Sequence, residues 1–166
     1  LKYLKSNKEL NFDEEALLNT KAYDFINMVE TTSMSKTYKM PVLLAFYNHG
    51  NMKLEINDED IYNSFREFYS IASNAVDMSK DKSTKNYMNW NSKEYISLAK
   101  KNPIKFLTKT HSEFFYINDK GNMCIYDFMS EYIRNERFLD HFYDAVAYRV
   151  KQYYRNRFEI KQRGNR

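Results

Sequence analysis

The sequence is poor in the residues that build turns, disulfides and membrane spans. Its 166 residues include only three Gly, two Pro and one Cys. So few Gly and Pro leave too little turn chemistry for an all-β sandwich, and one Cys cannot form an internal disulfide. No apolar run approaches the ~18 residues of a membrane span, and no signal-peptide pattern opens the chain. These absences predict a cytoplasmic protein without a membrane partner.

Aromatic residues are abundant instead: 15 Tyr, 12 Phe and one Trp. With 43% hydrophobic residues, the chain has enough apolar material for a core. Since it begins at Leu1 and not at Met, we interpret it as a piece of a longer protein. We expect residues 1–34 to be a helical segment that ends a preceding region, and residues 35–166 to form an accessory domain.

Basic residues concentrate in two segments, although the net charge of the whole chain is only +4. Residues 77–109 contain eight Lys and three acids, a net charge of +5. Residues 148–166 contain seven basic residues and one acid, a net charge of +6, so the rest of the chain carries −7. A modest total therefore conceals two basic segments on an acidic body, a pattern typical of contact with a polyanion.

Apolar spacing predicts a helix over residues 12–29, a linker over 31–37 and a second helix over 40–47, which Gly50 ends. A short strand is expected over 53–56. Asn57 then caps a third helix, whose first turn carries three consecutive acids.

The polar stretch 73–91 predicts a long loop, and Ser92 is expected to cap a fourth helix that residues 102–103 (Asn-Pro) interrupt. Residues 114–117 and 122–126, separated by Asn-Asp-Lys-Gly, predict a β-hairpin. A short helix follows from Asp127 or Ser130, and a long helix is predicted over 136–158.

This order of elements predicts a mainly α fold with a small β-hairpin, and a winged-helix-like centre flanked by N- and C-terminal helices. In that architecture a helix enters the major groove and the hairpin contacts the backbone. The helix that would read the groove carries the positive charge, and Lys120 lies at the hairpin tip. Winged-helix units also serve as protein-interaction modules.

Several short runs in the sequence carry a family resemblance. They are residues 35–46 (SKTYKMPVLLAF), Ile61, Phe65, 68–69 (FY), 82–83 (KS), 85–86 (KN), Trp90, 101–103 (KNP), 106–107 (FL), 148–149 (YR) and 157–158 (RF). Together they make residues 35–158 resemble the C-terminal region that follows the motor in bacterial DEAD/DEAH-box superfamily 2 helicases, including type III restriction-like helicase subunits. The resemblance implies an ATP-dependent nucleic-acid translocase as the parent, with its motor domain as a partner in the same chain. No phosphate-binding loop ending in Gly-Lys-Ser/Thr is present in this piece.

We therefore predict a non-catalytic domain that binds or orients DNA or RNA. The expected contact residues are Lys85, Asn86, Lys93, Lys100, Lys101, Lys105, Lys109, Lys120, Arg155 and Arg157. The alternative for the lysines is a solvated face, with Trp90 anchoring the 73–91 loop to the core. The alternative for the C-terminal cations, which include Arg149 and Lys151, is a helix end whose dipole they suit. As a whole, the chain is alternatively a protein-interaction module that docks on the motor or on a partner subunit.

No residue pattern indicates catalysis, a metal or a cofactor. Residues 58–60 are three consecutive acids on a helix, which do not converge on one ion. His49, His111 and His141 are scattered and lack the Cys spacing of a zinc site. Cys124 is expected to be an inert packing residue, because nothing in the sequence lowers its pKa.

Overall fold

The computed structural model describes residues 20–48 and 50–164, with side chains described as far as residue 156. The helices in chain order are α1 (Lys21–Thr31), α2 (Lys39–Phe46), α3 (Asp58–Ser70), α4 (Val76–Lys80), α5 (Ser92–Ala99), α6 (Lys105–Thr110) and α7 (Glu136–Gly164). The strands are β1 (Tyr47–Asn48), β2 (Asn51–Met52), β3 (Glu55–Ile56), β4 (Phe115–Ile117) and β5 (Met123–Ile125). The predicted mainly α fold with a small β-hairpin is confirmed, whereas its winged-helix-like centre stays a prediction.

The first described helix begins where Thr20 accepts a hydrogen bond from the backbone N–H of Tyr23 (3.4 Å) and caps α1. The predicted helix started at residue 12, and its part over 12–19 lies outside the described residues. One face of α1 is buried, including Phe25 and Val29. Residues 20–31 thus share a hydrophobic core with the rest of the described chain, while the expected boundary at residue 34 stays a prediction.

Gly50 does not end α2, contrary to expectation. The helix ends at Phe46, and residues 47–52 form a tight antiparallel hairpin of β1 and β2. Gly50 has φ = +89° in the turn of this hairpin, a conformation that other residues rarely adopt. His49 lies outside the described residues.

The predicted cap of α3 is confirmed in atomic detail. The Asn57 side chain accepts from the N–H of Asp60 (2.9 Å), and the Asp60 carboxylate accepts from the N–H of Asn57 (3.0 Å). This reciprocal pair satisfies two backbone donors that a helix N-terminus otherwise leaves open. Ile61, Phe65 and Phe68 form the buried face of the helix.

Residues 73–91 are not a loop. They contain 3₁₀ turns over Ala72–Ala75 and Tyr87–Asn89, with α4 between them. Met78 is fully buried, and the buried Thr84 hydroxyl donates to the Met78 carbonyl (2.7 Å). The segment has a compact structure because it is packed on the core, although its polar sequence has no apolar period.

The fourth helix differs from the prediction at its start and in its middle. Asn91, and not Ser92, is its N-cap, in a capping box with Glu94. Residues Lys100–Ile104 form a wider π-helical turn that connects α5 to α6, so Pro103 lies inside one continuous helical path. Pro103 lacks an N–H and its ring would collide with the carbonyl four residues earlier, and a widened turn relieves this conflict. We refer to residues 92–110 as the lysine helix.

The predicted hairpin is confirmed as β4 and β5, and β3 joins it to give an antiparallel sheet in the order β3-β5-β4. Its turn is organised by Asn118, whose side-chain oxygen accepts from the N–H groups of Lys120 (3.0 Å) and Asn122 (2.9 Å). Gly121 has φ = +80°, as this tight turn requires. We refer to residues 118–122 as the hairpin turn.

The core is held together by aromatic rings from distant parts of the chain. The ring of Phe25 in α1 lies 5.2 Å from that of Phe114 and 5.8 Å from that of Phe115, and also contacts Phe138 and Phe142 of α7. The long helix α7 begins after Asn135, whose side chain accepts from the N–H of Phe138 (3.1 Å). It extends to Gly164, six residues past the predicted end.

Candidate nucleic-acid interface

The lysine helix is amphipathic across its whole length. Its buried residues are Tyr95, Ala99, Pro103, Ile104 and Leu107. The five predicted contact lysines of this helix are all exposed: Lys93, Lys100, Lys101, Lys105 and Lys109. Lys105 and Lys109 are one turn apart in α6, so they lie on the same face. The core thus fixes one face of the helix and turns the lysine-bearing faces to solvent.

The hairpin turn lies beside the lysine helix. Between them is a groove of about 250 Å³, which we call the basic groove, and its lining includes Lys100, Lys105, Thr108, Ile117, Gly121 and Asn122. Lys120 is exposed in the same turn, adjacent to Gly121. The fold therefore brings two sequence-predicted elements, the lysine helix and the hairpin turn, to one groove.

Acidic groups border the basic groove. Lys100 pairs with Asp58 at 3.0 Å, and both side chains are about half exposed (47% and 56%). Such a pair contributes about 0–1 kcal/mol, so a phosphate can compete for Lys100. Within the described part of the chain, Lys93, Lys101, Lys105, Lys109 and Lys120 have no carboxylate within 4.0 Å.

Glu55 lies on β3, next to the hairpin turn. The side-chain amide of Asn122 donates to its carboxylate (2.8 Å), and this bond, with smaller contributions from Asn118 and Lys120, holds the pKa of Glu55 below its usual value. Glu55 is therefore an anion at neutral pH. Sequence reasoning did not single out Asn122, although its place directly after Gly121 in the predicted turn was a usable signal.

Lys85 and Asn86 lie away from the helix itself, in the turn that leads into the Tyr87–Asn89 segment, and both are exposed. The expected anchoring role of Trp90 is confirmed: the ring packs on the core and lies 5.2 Å from the ring of Tyr95 in an edge-on geometry. The tryptophan therefore stabilises the start of the lysine helix.

Arg149 is not part of a basic track. Its guanidinium turns inward and donates to the carbonyls of Val29 (2.9 Å) and Thr32 (2.6 Å) at the C-terminal end of α1. A cation at this end of a helix complements the carbonyl dipoles. The alternative interpretation of the C-terminal cations, that they complement a helix dipole, therefore describes Arg149. The helix end that Arg149 complements is that of α1 and not that of its own helix, α7.

The end of α7 docks on the segment that precedes the lysine helix. The Tyr153 hydroxyl donates to the Asp77 carboxylate, and the Ser35 carbonyl lies 3.1 Å from the same hydroxyl oxygen. The Tyr154 hydroxyl donates to the Asn74 carbonyl. Arg155 follows on the exposed side of this helix. The predicted contact residue Arg157 lies beyond the described side chains.

The remaining reactive side chains have structural surroundings. Cys124 is 3% exposed, its thiol donates to the Asn122 carbonyl (3.7 Å), and burial raises its pKa. Among the described residues, no three His, Cys, Asp or Glu side chains are placed to hold a metal ion. In the same part of the chain, no helix is both long and apolar enough to cross a membrane.

No protein-family model, curated protein or solved structure matches this chain.

Proposed function

We propose that this chain is a non-catalytic nucleic-acid-binding domain that works beside the motor of a bacterial, cytoplasmic DEAD/DEAH-box helicase. The observation that supports binding is the basic groove, where exposed lysines of one helix and a lysine-bearing hairpin turn lie together. The helicase context rests on the sequence resemblance of residues 35–158.

Lysines suit a contact that depends on charge and not on base sequence. Each ammonium is a mobile point charge that binds one phosphate oxygen without fixed geometry. Neutralising a phosphate releases condensed counterions, which supplies the free energy of such binding and makes it salt-dependent. Lys101, Lys105 and Lys109 succeed one another at intervals of about one turn, so together they can follow a strand of successive phosphates.

The acidic border also has a role in this proposal. Asp58 and Glu55 flank the basic groove, and like charges repel the phosphate backbone. They limit the footprint to the lysine-bearing side and orient the nucleic acid along the helix. An accessory domain that orients a strand toward a motor needs such a limit.

A binding titration tests the proposal. Fluorescence anisotropy with labelled duplex and single-stranded DNA at about 50 mM salt, where electrostatic binding is strong, should show saturable binding. Replacing Lys105 and Lys109 together with Gln should weaken binding at least about tenfold, since two phosphate contacts are lost. Of the test pair, Lys105 lines the basic groove and Lys109 lies one turn further along the same face of α6. The matched control replaces Lys21 and Lys151, which are exposed lysines outside both the lysine helix and the basic groove. Absence of binding by the unmodified chain, or equal losses in both pairs, refutes the proposal.

A further inference from the structure

A larger cleft of about 740 Å³ lies between α3 and α7, with α2 at its base. Both α3 and α7 contact α2, and Leu44 and Ala45 of that helix line the cleft. None of the lysines assigned to nucleic acid lines it. The cleft is therefore separate from the basic groove.

One wall of the cleft is a regular stripe of α3 that continues into Ile71, the residue directly after the helix. The residues that line it are Asp60, Asn63, Ser64, Glu67, Phe68 and Ile71. Their spacing from the first is 3, 4, 7, 8 and 11 residues, which is one face of an α-helix over three turns. At 1.5 Å per residue this wall is about 16 Å long.

The other wall is a matching stripe of α7. Its residues are Tyr143, Val146, Ala147, Val150, Lys151 and Tyr154, at the same intervals of 3, 4, 7, 8 and 11. Two helices that turn equivalent three-turn faces toward a shared space have the arrangement that a helix bundle offers to an additional helix.

The chemistry of the cleft is amphipathic. On its walls Phe68 and Val146 are buried, whereas Ile71 and Tyr143 are 53% and 48% exposed. Glu67 lies on the α3 wall and Lys151 on the α7 wall, and neither has an ion-pair partner among the described residues. Asp60 and Lys53 also line the cleft but are paired with each other at 2.6 Å. Buried apolar side chains between two opposite charges without ion-pair partners favour an occupant with an apolar face and one charge of each sign on its two flanks.

We propose that this cleft binds an amphipathic α-helix of about three turns from a partner protein. Its apolar face packs on Phe68 and Val146, a basic residue on one flank pairs with Glu67, and an acidic residue on the other flank pairs with Lys151. A helix satisfies its own backbone hydrogen bonds, so it can enter a cleft whose walls are side chains. The proposal uses none of the lysines of the basic groove, so it stands or falls separately from nucleic-acid binding.

The test uses the whole chain and a stapled peptide of about 15 residues, since shorter unconstrained helices are marginal in water. The peptide carries Leu at helical i, i+3, i+7 and i+11 positions, Lys on one flank and Glu on the other. A peptide of the same composition in scrambled order is its control. We expect chemical-shift changes confined to α2, α3 and α7, and a Kd well below about 1 mM for the patterned peptide alone.

Charge reversal makes the test specific. Glu67→Lys should weaken peptide binding about tenfold by placing like charges together. Adding Lys151→Glu should restore the affinity to within about threefold, because opposite charges again flank the cleft and the helix can bind in the reversed direction. Tyr148→Ala, at an exposed tyrosine that does not line the cleft, should leave binding unchanged.

Several results overturn this proposal. They are no binding of the patterned peptide at about 1 mM, equal binding of the scrambled peptide, or a loss with Tyr148→Ala as large as that with Glu67→Lys. Failure of Lys151→Glu to rescue Glu67→Lys has the same effect. Self-association of the chain that Ile71→Asp abolishes assigns the cleft to a second copy and also overturns it.

Discussion

Replacing Arg149 with Met removes the charged group that joins α7 to the C-terminal end of α1. The side chain is half-buried, and its two hydrogen bonds cross 120 and 117 residues of sequence. Met keeps much of the apolar stem but leaves the carbonyls of Val29 and Thr32 without this donor. A hydrogen bond from a charged group contributes about 1.5–3 kcal/mol, so two of them set an upper bound near 6 kcal/mol.

The expected loss is smaller than that bound. Burial lowers the pKa of Lys39 most, and the positive charge of Arg149 nearby lowers it further. Removing Arg149 therefore relieves some repulsion between the two cations. Arg149 is itself only half-buried, so water competes for its guanidinium and each bond contributes less than the bound. We therefore expect the free energy of unfolding to fall by about 2–4 kcal/mol, which at a urea m-value near 2 kcal/mol/M shifts the midpoint by about 1–2 M.

Urea denaturation followed by far-UV circular dichroism measures this shift. The matched control is Lys151→Met, two residues further along the same helix, where the side chain is exposed and has no ion pair among the described residues. That control should change stability by less than about 0.5 kcal/mol. Equal midpoints for the two variants would refute the role assigned to Arg149.

Three further predictions concern individual side chains. Burial, with a smaller effect from Lys39, lowers the pKa of His111 in the folded chain. His111 therefore binds a proton more readily in the unfolded chain, so its contribution to stability is complete above about pH 6.5 and is lost as the pH falls below that value. In the His111→Gln variant the urea midpoint should change less between about pH 7.5 and 5.5 than it does in the unmodified chain. An equal change of the midpoint in both proteins contradicts this. Asn57→Ala should cost about 1 kcal/mol through loss of the capping box, whereas Asn63→Ala, exposed in the middle of α3, should not destabilise. Because burial raises the pKa of Cys124, a thiol reagent at neutral pH should react at least about tenfold more slowly with the folded chain than in urea, and equal rates would show the thiol to be accessible.

Local signals in the sequence were reliable where a few neighbouring residues determine the backbone. Asn57 with its following acids marked the start of α3, and residues 118–121 marked the hairpin turn. In both places a side chain next to the backbone satisfies backbone donors, so the sequence alone carries the information.

Predictions failed where distant contacts determine the local structure. Residues 73–91 are polar, yet Met78 and Thr84 are buried there and Tyr153 of α7 bonds to Asp77. Their spacing in the sequence does not reveal these partners. Pro103 was expected to interrupt a helix, but a π-helical turn accommodates it, because packing of Tyr95, Ala99 and Leu107 on the core holds both halves of the helix in place.

The candidate sites also combine features that the sequence shows locally with features that depend on distant contacts. The concentration of lysines over 93–109 was visible in the sequence, and so was a hairpin carrying Lys120. That Lys100 and Lys105 line one groove with the hairpin turn follows only from the fold. Charge alone did not show that Arg149 turns inward, since a cation near a helix end can be hydrated, bind a phosphate or donate hydrogen bonds to carbonyls. The α3–α7 cleft mixes polar and apolar residues on each stripe, which is why an apolar period did not reveal it.

The salt dependence of DNA affinity tests the central claim most directly. If Lys105 and Lys109 each contact a phosphate, the slope of log K against log salt for duplex DNA should be shallower by about 1.8 in the double Gln variant, at about 0.9 per lost contact. The Lys21 and Lys151 control pair should keep the slope of the unmodified chain. A slope that is the same in all three proteins would contradict the assignment of nucleic-acid binding to the lysine helix and the basic groove beside it.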